Sequence, residues 1–164
     1  MNYHAGYSFT SLLSEHRDLG RLFESHQRAL LSRDLGAAFA TITTFENALQ
    51  QHISYEDDVL LPLYASKAGE VEGGTLAIFQ AEHRKLSEMA AALSRHTDDL
   101  YTSTDMLGSI LNLLDEETLF KGLFKHHAQR EDNLLFPRLD ACTTEAERNF
   151  TVGANDYFFA NVRR

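Results

Sequence analysis

Apolar residues in this chain recur three and four positions apart, not alternately, almost from one end to the other. Over 9–31 the apolar set Leu12, Leu13, Leu19, Leu22, Phe23 and Leu30 marks a first helix. Ser8 is its expected N-cap, because a hydroxyl there can accept from a free first-turn amide. Asp34 opens a second helix that should run to about residue 65. Pro62 is expected to kink or end it, since proline removes a helical donor and crowds the preceding turn. Beyond the polar connection "SKAGEVEGG", a third helix over 74–96 carries Ile78, Phe79, Leu86, Met89, Ala90 and Leu93. The link "TDDLYTSTD" leads to a fourth helix over 103–135, closed by Pro137. Thr144 and Glu147 have capping-box spacing and predict a short fifth helix. Tyr157, Phe158 and Phe159 are expected to cover the edge of the bundle, with dimerisation as the other use of such a tail. No strand pattern with hairpin turns is present. The reading is all-α: one domain, 1–164, with an antiparallel up-down-up-down four-helix bundle over about 9–140 and a C-terminal extension over about 141–164.

Two segments repeat each other. "QHISYEDDVLLP" at 51–62 and "HHAQREDNLLFP" at 126–137 align so that His52 falls on His127, Glu56 on Glu131, Asp57 on Asp132 and Pro62 on Pro137. Those are the two prolines of the chain. A second pair, "SEHRDL" at 14–19 and "AEHRKL" at 81–86, places His16 on His83 and Leu19 on Leu86. The order EHR, H-x-x-x-E, EHR, H-x-x-x-E describes two helical hairpins of one pattern.

On a helix, residues four apart share a face, with Cβ atoms about 5–6 Å apart. His52 with Glu56, and His127 with Glu131, therefore form two-residue grips. His16 from the first helix and His83 from the third complete a set of four imidazoles and two carboxylates. Bundle cores build metal sites from facing helices in this way, and the mixed donor set suits iron, manganese or zinc. If both glutamates bridge, His16 and His52 serve one ion, and His83 and His127 the other. Such a set leaves coordination positions open, as binding and catalytic sites require. In "KHHAQRE" either His126 or His127 has a workable spacing; the internal alignment favours His127. A lone i,i+4 pair would be read as a surface interaction; the duplication lifts this one above that.

Charge and composition narrow the function. A formal net charge of −9 lacks the basic stripe of a nucleic-acid binder. The single cysteine, Cys142, excludes an intrachain disulfide and a cysteine-rich metal site, and reads as a packed thiol. Neither a basic-then-apolar leader nor a run of about 18 apolar residues is seen, so no membrane partner and a cytoplasmic location are expected. Of the other histidines, His4 reads as a tail residue, and either it or His26 is a conceivable fifth ligand. His26, about 80° around the helix from His16, is expected at the rim or surface, and His96 at a helix C-terminus, where a cation suits the dipole. Glu15 and Glu82 precede candidate ligands and are either groups standing behind a ligand or, as the preferred reading, surface carboxylates. Asp57 and Asp132 are candidates for orienting a ligand histidine, and Tyr55 for a hydrogen bond near a bound ligand. Leu12, Leu19, Leu60, Phe79, Leu86, Phe124 and Leu135 are assigned to the core.

The set His16, His52, Glu56, His83, His127 and Glu131, with each H-x-x-x-E followed by Leu-Leu-Pro or Leu-Phe-Pro, resembles the hemerythrin-like, or HHE cation-binding, domain family. The resemblance spans 9–140. It implies a four-helix bundle around two iron ions with an oxo or hydroxo bridge, the four histidines as terminal ligands and the two glutamates bridging. Two departures separate the chain from the oxygen carriers of that family. Ser87 stands where they have a further histidine, and His127-x-x-x-Glu131 replaces their His-x-x-x-x-Asp. The expected function is thus binding or sensing of O₂, NO, or iron and redox state. The alternatives are an enzyme acting on peroxide or NO or in iron–sulfur cluster repair, and a structural bundle without essential metal. A monomer or homodimer is expected.

Overall fold

In the computed structural model, the described backbone covers residues 6–160 and the described side chains residues 6–153. Its elements are helical throughout, apart from one isolated bridge between Val71 and Gly74. A 3₁₀ turn, Phe9–Leu12, leads into α1 (Leu13–Leu31). Ser8 caps it by accepting from the Thr10 amide, and Asp34 caps α2 (Leu35–Tyr55) by accepting from Ala37 N at 2.9 Å. The central connection turns through Gly69 and Gly73, both with positive φ, a region that favours glycine. Thr75 then caps α4 (Leu76–Asp99), and after a 3₁₀ turn at Leu100–Thr102, Asp105 caps α5 (Met106–Arg130).

The prolines do not end their helices. After α2 the chain makes a π-turn, Glu56–Leu60, in which the Leu61 amide reaches back to the Glu56 carbonyl; α3 (Leu61–Lys67) follows, with Pro62 in its first turn. After α5 the same happens at Glu131–Leu135, and α6 (Phe136–Cys142) carries Pro137. Proline cannot donate to the carbonyl four residues back and crowds it. One turn of wider hydrogen bonding ahead of the ring absorbs the conflict, and the helix continues. Single π-turns of this kind are frequent at functional sites. The fifth-helix expectation is exceeded: α7 (Glu145–Ala160) has 16 residues. Its capping box is formed, with Thr144 N donating to Glu147 at 2.8 Å and Glu147 N donating to Thr144 Oγ1 at 3.3 Å. The side chains of Tyr157, Phe158 and Phe159 lie outside the described ones, as does His4 altogether.

The four long helices close a ring: α1 packs on α2, α2 on α4, α4 on α5, and α5 on α1. Two apolar clusters fill it. One gathers Leu19, Phe23, Ile42, Phe45, Leu49, Leu86, Leu93, Leu113 and Phe120. The other gathers Phe9, Leu12, Leu60, Tyr64, Phe79, Leu135, Phe136 and Val152, the last from α7. Along α1 the chain passes from the second cluster to the first, along α2 from the first to the second, along α4 back again, and from α5 into its π-turn as in α2. The crossing points are His16, His52–Glu56, His83 and His127–Glu131. A polar layer thus divides the core, and all four helices contribute to it. Among the described residues no helix is long and apolar enough to cross a membrane.

Leu49 lies fully buried in the first cluster. Leu49→Ala is expected to lower stability by about 2–5 kcal/mol through lost transfer energy and a residual cavity. Urea unfolding of the metal-free chain measures it; a loss well under 1 kcal/mol would contradict the tight packing described.

Candidate metal centre

The dividing layer brings all six sequence-derived candidates together. His16, His52, Glu56 and Glu131 form one group, and Glu56, His83, His127 and Glu131 form the other; within each, one donor atom per residue lies within 4.8 Å of the rest. All six residues are buried. Both glutamates belong to both groups, and their oxygens divide between them. Glu56 turns Oε1 to His52 Nε2 at 3.3 Å and Oε2 to His83 Nε2 at 3.2 Å. Glu131 turns Oε2 to His16 Nε2 at 3.0 Å and Oε1 to His127 Nε2 at 3.0 Å, with His83 Nε2 at 3.5 Å. His127 is the buried member of its histidine pair and His126 the exposed one.

Short as these separations are, the four Nε2 atoms and all four carboxylate oxygens lack an aligned hydrogen bond among the described residues. Buried polar groups are normally hydrogen-bonded. Here they converge on two shared points, an arrangement compatible with holding metal ions. Nitrogen and carboxylate oxygen donors in this ratio fit iron, manganese or zinc.

Behind each imidazole stands a carboxylate. His52 Nδ1 is 3.0 Å from Glu15 and His127 Nδ1 is 3.1 Å from Glu82. His83 Nδ1 is 2.7 Å from Asp57, and His16 Nδ1 is 3.3 Å from Asp132. For His52, His83 and His127, an Nδ1–H donating to its carboxylate would leave the Nε2 lone pair for a metal; such partners fix the tautomer and the ring orientation of metal-binding histidines. His16 and Asp132 are close without an aligned hydrogen bond. The two halves obey one rule. Each EHR glutamate stands behind the H-x-x-x-E histidine of its own half, and the aspartates after Glu56 and Glu131 stand beside the EHR histidine of the opposite half, hydrogen-bonded in the case of Asp57 and His83. Glu82 is itself held by Arg130 Nε and Nη2, both at 3.1 Å, while another Arg130 nitrogen donates to the Gly73 carbonyl.

Several expectations need correction. Of the two readings of Glu15 and Glu82 the preferred surface one is overturned and the other holds: they stand behind His52 and His127. The signal was present, since each directly precedes an aligned histidine in both repeats. His26 is not a rim residue: it is fully buried, with Nδ1 at 2.9 Å from the Ala38 carbonyl and Nε2 at 2.8 Å from buried Glu117. Helical angle alone missed it because Glu117 on α5 provides a polar partner inside the bundle. Tyr55 donates to the Thr151 carbonyl at 2.9 Å and so fastens α7. His96 is exposed and lies 2.7 Å from Glu116.

Without a cation, protons take its place. Burial opposes protonation of His83, but Glu131 and Glu56 beside the ring outweigh it and raise the imidazole to about 11. His16, against the same opposition from burial, is held at about 10 by Asp132, Glu131 and Glu56. His127 is held at about 9 by Glu131 and Glu82, again against burial. The Glu131 carboxyl lies well below the usual range; burial pushes it up, and His127, His16 and His83 more than reverse that.

Comparison with known proteins gives one informative relative. The "Iron-sulfur cluster repair protein YtfE" of Musicola paradisiaca (strain Ech703) is 26% identical over 99 residues, covering 60% of this chain and 45% of the relative. The match thus takes in less than half of the relative's length. No protein-family model and no solved structure matches the chain.

Two outcomes are expected. In the unfolded chain these histidines titrate near 6.5, whereas the folded values are about 9 to about 11. The folded metal-free protein therefore holds extra protons between those limits. Their stabilisation is complete below pH 6.5 and is lost as pH rises through the folded values. The thermal midpoint of metal-free protein should fall over that window, and that of metal-loaded protein should fall less, because metal takes the neutral imidazole. A flat metal-free profile would contradict the charge pairing. Separately, Glu15→Gln and Asp57→Asn should each weaken metal affinity about 10–100-fold in chelator competition, while exposed Glu116→Gln should not.

Proposed function

We propose that this chain is a hemerythrin-like protein whose bundle, antiparallel in the alternating order of its two apolar clusters, holds two iron ions. His16 and His52 hold one ion, His83 and His127 the other, and Glu56 and Glu131 bridge them. The observation that carries this reading is the division of each glutamate's two oxygens between two histidine pairs, with those atoms buried and without aligned hydrogen bonds. The relative whose name refers to iron–sulfur clusters supports iron over zinc or manganese.

Bound iron supplies reversible electron transfer and open positions for a small ligand such as O₂, NO or peroxide. The chain supplies the rest. Glu15, Asp57 and Glu82 hold the imidazoles of His52, His83 and His127 in the required tautomer. The clusters on either side of the layer keep bulk water from the carboxylates, and an apolar surround of this kind tunes redox potential and access. Leading is the small-ligand reading: a redox-responsive module that binds a diatomic molecule. Repair of damaged iron–sulfur clusters is a second reading, favoured by the named relative alone; there the cluster would be the substrate.

Elemental analysis of untagged protein, with visible spectra under air, argon and NO, is the first test. The expectation is about two irons per chain, one for each donor group, and near-ultraviolet bands that change with the gas. His52→Ala and Glu131→Ala should each abolish stoichiometric loading while helical circular dichroism persists. Absence of iron after anaerobic loading would end the di-iron reading. Restoration of activity to a damaged iron–sulfur enzyme in catalytic amounts would favour repair over ligand binding.

A further inference from the structure

Between α1 and α5, away from the six metal-site candidates, a cavity of about 470 Å³ opens to the surface. It lies within the size range of small-molecule sites, which are mostly apolar with a few placed polar groups. Phe23, Phe45, Phe120 and Phe124 form its apolar lining, and Phe23 packs on Phe45 and Phe120 at ring separations of 4.9 and 5.1 Å. Gly20 of α1 and Gly122 of α5 also line it, and a Cβ built on either meets no atom within 4 Å. Glycine inside a helix is unfavourable by about 1 kcal/mol relative to alanine. No close neighbour demands it at either place. The two glycines keep side chains out of the gap where α1 and α5 face each other.

The polar groups on the cavity are unequal in charge. Glu24 is bound to Arg28, with separations of 2.6 and 3.0 Å. Gln27 is engaged at both ends: Nε2 donates to Glu117 at 2.9 Å and Oε1 accepts from Lys121 at 3.3 Å. Lys121 and Lys125 stand exposed on the lining, and neither has an ion-pair partner among the described residues. In a chain of net charge −9, two such lysines beside a phenylalanine-lined cavity select an anion with an apolar body. We propose that this cavity is a binding site for a small amphiphilic carboxylate, its apolar part against half-buried Phe124 over the floor that the packed Phe23, Phe45 and Phe120 rings form, and its carboxylate between Lys121 and Lys125. The site is built from residues that take no part in the metal centre, and it stands or falls independently of the di-iron reading. Phe124 nevertheless touches both, lying edge-on to the His16 ring at 6.0 Å.

n-Octanoate and 1-octanol, matched in chain length, test the proposal on the full chain. Calorimetric titration should give octanoate a dissociation constant below about 1 mM, with octanol at least about fivefold weaker. Amide shifts at Gly20 and Gly122 should move with octanoate and saturate at the calorimetric constant. Gly122→Leu and Gly20→Leu fill the space at exposed helix positions where leucine is the better helix former; each should reduce octanoate affinity at least about tenfold. Lys121→Gln with Lys125→Gln should remove the preference for octanoate over octanol. Wild-type protein that takes up no octanoate to 10 mM (about tenfold above the expected limit), or folded leucine variants that bind it unchanged, would overturn the site. Equal binding of octanol would overturn its specificity for a carboxylate.

Discussion

The structure depends on burying two carboxylates and four imidazoles in the middle of an apolar bundle. Unpaired, such groups are very unfavourable in a dry interior. Protonated histidines beside glutamates offset part of this, but removing one partner of a buried charge pair is strongly destabilising. The layer therefore requires positive charge, either as protons on His16, His83 and His127 or as metal ions. This requirement sets where the two apolar clusters stop and explains why the supporting carboxylates come from neighbouring helices. Each of them neutralises a ring from behind while leaving its front free.

Much of this was legible in the sequence because it was written twice. Helical periodicity located the four long helices to within a few residues, and the aligned repeats picked out the six residues that the structure brings together. What escaped followed from relations between helices. Glu15 and Glu82 looked like surface carboxylates because a single helix does not reveal that its neighbour presents a histidine there. His26 looked peripheral because the angle from His16 was known and the position of Glu117 across the bundle was not. Tyr55 was drawn toward the ligand by its sequence neighbourhood, whereas α7 supplies the carbonyl it meets.

The prolines show a different limit. Read locally, Pro62 and Pro137 forbid continuation, and an ordinary α-helix would stop or bend. The backbone widens by one turn instead, starting at Glu56 and at Glu131. The residue that opens each π-turn is thus the one whose two oxygens divide between the histidine pairs. A sequence rule about helix termination was in this case a rule about where the helix is re-phased. Glu56 itself still stands in α-helical register with His52, its amide bonded to the His52 carbonyl; what the added residue re-phases is the segment after it, which carries Leu60 and Leu61 into the second cluster.

The crossed aspartates have a consequence for the divisibility of the chain. Asp57 hydrogen-bonds His83, and Asp132 lies beside His16, so each half reaches a ring belonging to the other. Each donor group takes a glutamate from the opposite half, so neither half carries a complete group alone. The molecule is in this sense indivisible: parting its halves would take a glutamate from each of the two donor groups.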